Sequence, residues 1–191
     1  MIDESQTMPG IKRIVSEDLK LHELSCFQRI LLTTDGTVTE ILEQYLLEKI
    51  RPLKIDEKIE SDMRCIHAPH RKLLPDGSSG PVLERRVLLQ GVTTLRYWIQ
   101  ADSTIFLNQL SDQFLNDLLR SEEPIGRLWE KYRVETFKEV VHICREPATE
   151  WASYFTISPQ EFLIARSYLV YSGGCLVMMI SERFPESFFQ K

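Results

Sequence analysis

From Val82 to Gly91 the chain reads VLERRVLLQG, and its apolar positions alternate with the two-residue period of a strand. Leu83, Arg85, Val87 and Leu89 fall on one face of that strand, and Glu84, Arg86, Leu88 and Gln90 on the other. The same period marks Leu95–Ala101 and FKEVVHIC from Phe137 to Cys144. An extended stretch is expected from Leu53 to Ile66, with Leu53, Ile55, Ile59 and Met63 at even offsets. Near the C-terminus Arg166–Tyr171, a Gly173–Gly174 turn and Cys175–Phe184 read as a hairpin. Helical spacing appears elsewhere, first at Leu24, Phe27, Ile30 and Leu31. Thr37 to Glu40 has the form of a capping box and opens a helix with the apolar face Val38, Ile41, Leu42, Tyr45, Leu46 and Ile50, which Pro52 should stop. Ser111 caps a further helix carrying Phe114, Leu115, Leu118 and Leu119. Pro124 and Gly126 bend the chain after it, and Leu128 and Trp129 begin a short helical turn. Ser158-Pro159 predicts one more short helix. Strands joined by turns and loops without crossover helices pair antiparallel, so the fold class is α+β.

Two charged residues break the pattern. Arg85 stands on its strand face between Leu83 and Val87, where an unpaired guanidinium costs roughly several kcal/mol to bury. In CLVMMISERF both faces are apolar, which marks a strand covered on both sides, and Glu182 sits at its end. The two either pair with each other or stand at opposite ends of a pocket, one meeting an anion and the other a hydroxyl or proton. Spacing alone leaves both readings open.

Composition narrows the rest. The 191 residues are 43% hydrophobic, enough for a sizeable core, and 27% charged. Residues 1–18 are polar and expected to fray, leaving residues 19–191 as one domain. A net charge of −5 gives no general attraction to a phosphate backbone, so nucleic acid is not an expected partner. No apolar run has the length of a membrane span, and the acidic start MIDESQTMPG is not a secretory signal. Cys26, Cys65, Cys144 and Cys175 are scattered, as in a reduced cytoplasmic protein. Cys65, His67 and His70 lie close in sequence but lack a second ligand pair, so RCIHAPH reads as a proline-rich loop, not a metal site. His142 alternates with Val140 and Cys144 and reads as structural. Nothing in the pattern speaks for an oligomeric state.

Four stretches taken in order, LLTTDGTVTEILEQ (31–44), RRVLLQG (85–91), PIG (124–126) and SERFP (181–185), resemble the chorismate–pyruvate lyases, or 4-hydroxybenzoate synthases, and more nearly their archaeal and plastid-type branch. The likeness spans Leu24 to Pro185. It implies a single antiparallel sheet of about six strands with helical flaps closing an internal ligand cavity. It further implies that Arg85 holds an aromatic carboxylate, that Glu182 meets the ring hydroxyl at the far end and serves as the base, and that backbone amides at Val38 and Ile125 assist, with Gly126 allowing close approach. The apolar neighbours of Glu182 are expected to raise its carboxyl pKa. Arg166 is the candidate second cation, for the enolpyruvyl carboxylate. The chemistry so implied needs neither metal nor cofactor, because aromatisation drives the elimination. Lys138, in TFKE (136–139), stands where many relatives carry arginine, which leaves room for a related aromatic acid as ligand.

The same fold also serves transcription regulators as an effector-binding domain, so a non-catalytic module for a small aromatic carboxylate is the alternative. Such a module is typically fused to a DNA-binding domain, and residues 1–18 are too short for a helix-turn-helix.

Overall fold

The computed structural model describes residues 14–17, 19–61, 73–75, 78–120 and 123–190. Six antiparallel strands form the sheet: β2 (Ile50–Glu60), β3 (Val82–Gly91), β4 (Tyr97–Phe106), β5 (Phe137–Pro147), β6 (Phe162–Ser172) and β7 (Cys175–Pro185). A two-residue strand, β1 (Ile14–Val15), pairs parallel to β5 at its outer edge. The order across the sheet is β1-β5-β6-β7-β4-β3-β2, so the late hairpin β6–β7 occupies the middle. Burial follows position: β6 and β7 are buried on both faces along most of their length, while Ile55 and Ile59 on edge strand β2 are exposed. Ile14–Val15 thus tie to the sheet part of a segment expected to fray.

Helices α1 (Cys26–Thr33), α2 (Val38–Leu46), α3 (Asp112–Arg120) and α4 (Ile125–Lys131) precede or interrupt the strands, and a one-turn α5 (Ala152–Phe155) follows β5. The reciprocal capping box lies at α1, where the Ser25 hydroxyl accepts from the Gln28 amide and the Gln28 side chain accepts from the Ser25 amide. Thr37 is the N-cap of α2 as expected, but its side chain makes no capping hydrogen bond. Gln28 also donates to the carbonyls of Glu186 (2.7 Å) and Phe188 (3.1 Å), fastening the C-terminal tail to α1. The rings of Phe188 and Phe189 then pack among Phe27, Tyr45, Trp98 and Phe184.

Several local expectations need correction. α2 ends at Leu46 because Leu47 turns left-handed (φ 55°), so Ile50 and Pro52 belong to β2 rather than to the helix. Proline is tolerated there because β2 is an edge strand. β2 stops at Glu60, and Met63, Ile66 and the Cys65–His67–His70 group lie outside the described residues. Ile30 points outward, 44% exposed, and the buried face of α1 is Gln28, Leu31 and Leu32. α4 starts earlier than Leu128, at Ile125, with Pro124 as its N-cap. Ser158–Glu161 is a turn rather than a helix: the Glu161 amide donates to the Ser158 carbonyl (3.0 Å), while the Glu161 side chain accepts from the Ser158 amide (2.8 Å). The helix in that region lies earlier, at α5. Leu95 sits in the β3–β4 turn (φ 59°), so β4 begins at Tyr97. Ser111 caps α3 as expected, accepting from the Phe114 amide (3.3 Å).

The starts of α2 and α4 meet. A Cβ on Gly126 would lie 2.3 Å from Thr37 Cγ2, closer than packed carbons approach. Gly126→Ala is therefore expected to destabilise the fold by about 1–3 kcal/mol. Adding Thr37→Ser, which removes that methyl group, should restore most of the loss in a denaturant titration. Equal instability of single and double variants would show that the contact is not the cause.

Candidate active site

Register places the irregular charges. Arg85 is opposite Glu57 on β2 and Ser103 on β4; Ser103 is opposite Ile180 on β7, and Ile180 opposite Tyr168 on β6. One step along, Val87, Ala101, Glu182 and Arg166 form the next row on the same face. Arg85 and Glu182 therefore share a face, with β4 between their strands and an offset of two residues. Their Cα atoms stand roughly 12 Å apart, two strand spacings on the diagonal. The side chains on β4 between them, Ala101 and Ser103, are small, and Ser103 is only half-buried despite its inner strand.

Arg85 is 5% exposed. Among the described residues its nearest anion, Glu57 Oε2, is 3.6 Å from Nε, too long for a hydrogen bond, and neither Nε nor Nη2 of Arg85 has a hydrogen-bond partner. The same Glu57 oxygen lies nearer to Lys54 Nζ (3.3 Å). Burial pulls the Arg85 pKa below its ordinary value, and Glu57 only partly opposes this. Buried donors without partners are uncommon in folded proteins, which sets Arg85 apart from the paired charges around it.

Glu182 is placed differently from the sequence expectation. Its surroundings are polar: Arg166 Nε donates to Oε2 (2.8 Å) and the Tyr168 hydroxyl donates to Oε1 (3.1 Å). Arg166 is 1% exposed and gives a second donor, Nη1, to the Thr34 carbonyl (2.7 Å). Burial works against the Arg166 charge, but the Glu182 carboxylate more than compensates and raises its pKa. Burial, with Glu182 adding to it, pushes the Tyr168 phenol well above its usual range. Arg166, Glu182 and Tyr168 form a closed polar cluster, and Glu182 is not paired with Arg85.

The covering layer completes the geometry. The α1–α2 turn reaches the sheet through Thr34 and through Gly36, whose carbonyl accepts from Lys138 Nζ (3.2 Å). α3 reaches it where the Leu119 carbonyl accepts from Lys54 (2.8 Å). Val38 is the first residue of α2, buried, and Ile125 the first of α4, so the amides expected to assist lie at two helix starts brought together through Gly126 and Thr37. Beside them opens a cleft of about 460 Å³, whose walls include Asp35, Gly36, Thr37, Gly126, Trp129 and Lys138. Glu57, Tyr168 and the placement of Lys138 were not foreseen. Tyr168 had a signal, since it lies two residues from Arg166 and so shares its face. Among the described residues no cluster of three or more His, Cys, Asp or Glu is disposed to hold a metal ion. Nor is any described helix long and apolar enough to cross a membrane.

Residues 32–190 match the family model described as chorismate pyruvate-lyase, Rv2949c-like. The chain belongs to this family. Among the relatives of this lyase-family chain is the chorismate pyruvate-lyase of Mycobacterium tuberculosis, 26% identical over 174 residues, covering 91% of this chain and 86% of the relative. The chorismate pyruvate-lyase of Mycobacterium leprae is 28% identical over 163 residues, covering 85% and 75%. The effector domain of PhnF from Mycobacterium smegmatis shares the fold at 8% identity (TM-score 0.60, covering 82% of this chain and 93% of that one). One lyase-family sheet thus matches both enzymes by sequence and a regulator's effector domain by shape.

Proposed function

We propose that this chain is a chorismate pyruvate-lyase, which eliminates pyruvate from chorismate and releases 4-hydroxybenzoate. The observation that carries the reading is Arg85, a buried guanidinium with two nitrogens that no group among the described residues accepts from. Arg85 receives the ring carboxylate through a bidentate fork. The ring lies over Ala101 and Ser103 in an internal chamber closed by α2 and α4, with the amides at Val38 and Ile125 assisting and Gly126 keeping the backbone close. Glu182, held by Arg166 and Tyr168, takes the hydrogen from the ring carbon bearing the hydroxyl. The pair of that C–H bond becomes part of the aromatic ring, and the ether C–O bond breaks with its pair leaving on the enolpyruvyl oxygen. Protonation of that enolate gives pyruvate. Arg166 steadies the base and contributes positive charge beside the leaving group. The protein is read as working in the cytoplasm on a small molecule.

Purified protein incubated with chorismate is expected to form 4-hydroxybenzoate and pyruvate in equal amounts. Glu182→Gln should lower kcat by roughly 100-fold or more while the affinity for 4-hydroxybenzoate shifts only a few-fold. Unchanged kcat would remove Glu182 as the base. The likeness to an effector domain favours a second reading, a binding module without turnover. Tight 4-hydroxybenzoate binding by a protein that leaves chorismate intact would select it.

A further inference from the structure

Chorismate carries two carboxylates, and Arg85 accounts for one. We propose that Lys138, in the cleft beside the starts of α2 and α4, takes the carboxylate of the departing three-carbon group. This rests on the chorismate reading and names the half of the site that the reading left to Arg166. Arg166 is committed: Nε is on Glu182, Nη1 on the Thr34 carbonyl, and its guanidinium lies 4.8 Å from the Tyr168 ring. Turning it toward a ligand would strip the buried Glu182 of its cation, at a cost a single new contact would not repay.

Lys138 has the freedom that Arg166 lacks. It donates to a neutral acceptor, the Gly36 carbonyl (3.2 Å), and makes no ion pair among the described residues. An ammonium has three donors, which leaves capacity for a carboxylate. Strand register puts it on the site face: Lys138 is opposite Val170, and Val140 is opposite Tyr168, which donates to Glu182. Its neighbours set its charge. Burial is the main influence lowering its pKa, Arg166 adds to this, and Glu182, Asp35 and Glu40 oppose it. From α4 the cleft presents Glu130, and from the segment after it Arg133 and Glu135. An anionic group arriving here relieves the penalty on the ammonium, so binding recruits a proton at alkaline pH. The cleft extends from Lys138 to the protein surface, a route by which pyruvate departs while Arg85 keeps the aromatic product.

The test compares a ligand with both carboxylates against one with a single carboxylate. Dissociation constants for chorismate and 4-hydroxybenzoate are measured by calorimetry, with Glu182→Gln as the slow background for chorismate, in the parent, Lys138→Met and Lys138→Arg. Lys138→Met is expected to weaken chorismate binding roughly 30-fold and to leave 4-hydroxybenzoate within about two-fold, with Lys138→Arg recovering most of the loss. In alkaline buffers of different ionisation enthalpy the parent takes up a proton on binding chorismate, and the Met variant does not. Equal weakening of both ligands would make Lys138 a structural residue and overturn the assignment, as would no change in either. Chorismate bound without turnover by the unmodified chain would sink the lyase reading and leave the Lys138 comparison intact. No chorismate binding at all would sink both.

Discussion

Arg85→Met is expected to lower the affinity for 4-hydroxybenzoate by roughly 100-fold or more while leaving thermal stability unchanged or higher. The opposite signs are the informative part. Truncating one partner of a buried, hydrogen-bonded charge pair costs about 2–5 kcal/mol in binding, and each 1.4 kcal/mol is about a factor of ten. Within the fold itself the same guanidinium is a burden: burial lowers its pKa, its Glu57 contact is long at 3.6 Å, and two of its nitrogens lack partners among the described residues. Met has a similar length and no charge to desolvate, so it removes that penalty. Glu57 is not stranded by the change, because its side chain is 24% exposed and keeps Lys54 at 3.3 Å. Calorimetric titration and thermal unfolding measure the two quantities independently. A large drop in stability with unaltered binding would mean that Arg85 and Glu57 are an ordinary structural pair and that no carboxylate docks there.

The two anomalous charges were legible because their neighbours are so plainly apolar. Leu83, Val87 and Leu89 define the face on which Arg85 falls, and a strand buried on both sides carries Glu182, so period-two counting finds both without coordinates. Their partners were not legible, and the reason is register. The β6–β7 turn sets Ser172 opposite Cys175, and counting back without a slip puts Ala165 opposite Glu182. A bulge between Val170 and Tyr171 moves the pairing by one residue and brings Arg166 there instead. The bulge between Lys54 and Asp56 likewise decides that Glu57 faces Arg85, and no local pattern announces either slip. The capping box expected at α2 failed for a related reason. Thr37 and Glu40 have capping-box identities, yet Thr37 makes no side-chain capping bond and instead approaches α4 closely at Gly126, a distant packing event. At α1 the Ser25–Gln28 box was present in the sequence and passed over, although the C-terminal tail is fastened through it.

Breaking the central pair is expected to produce the largest loss of stability in the molecule. Arg166→Met leaves the Glu182 carboxylate inside the sheet with Tyr168 as its remaining donor, and an uncompensated buried charge costs about 3–5 kcal/mol. The Thr34 carbonyl also loses its donor, so the α1–α2 turn should loosen with it. Adding Glu182→Gln removes the charge that made the first change costly, so the double variant should recover more than half of the lost stability in urea titrations. The coupling between the two sites, read from the four-variant cycle, is then large and favourable. Purely additive losses would show that the two side chains act separately and that water reaches the carboxylate. The cycle also bears on the proposed catalysis, in which Glu182 is the base and Arg166 its positioning partner. On that proposal activity should fall in Arg166→Met even under conditions where the protein remains folded, whereas the affinity for 4-hydroxybenzoate, assigned to Arg85 one strand beyond β4, should change far less.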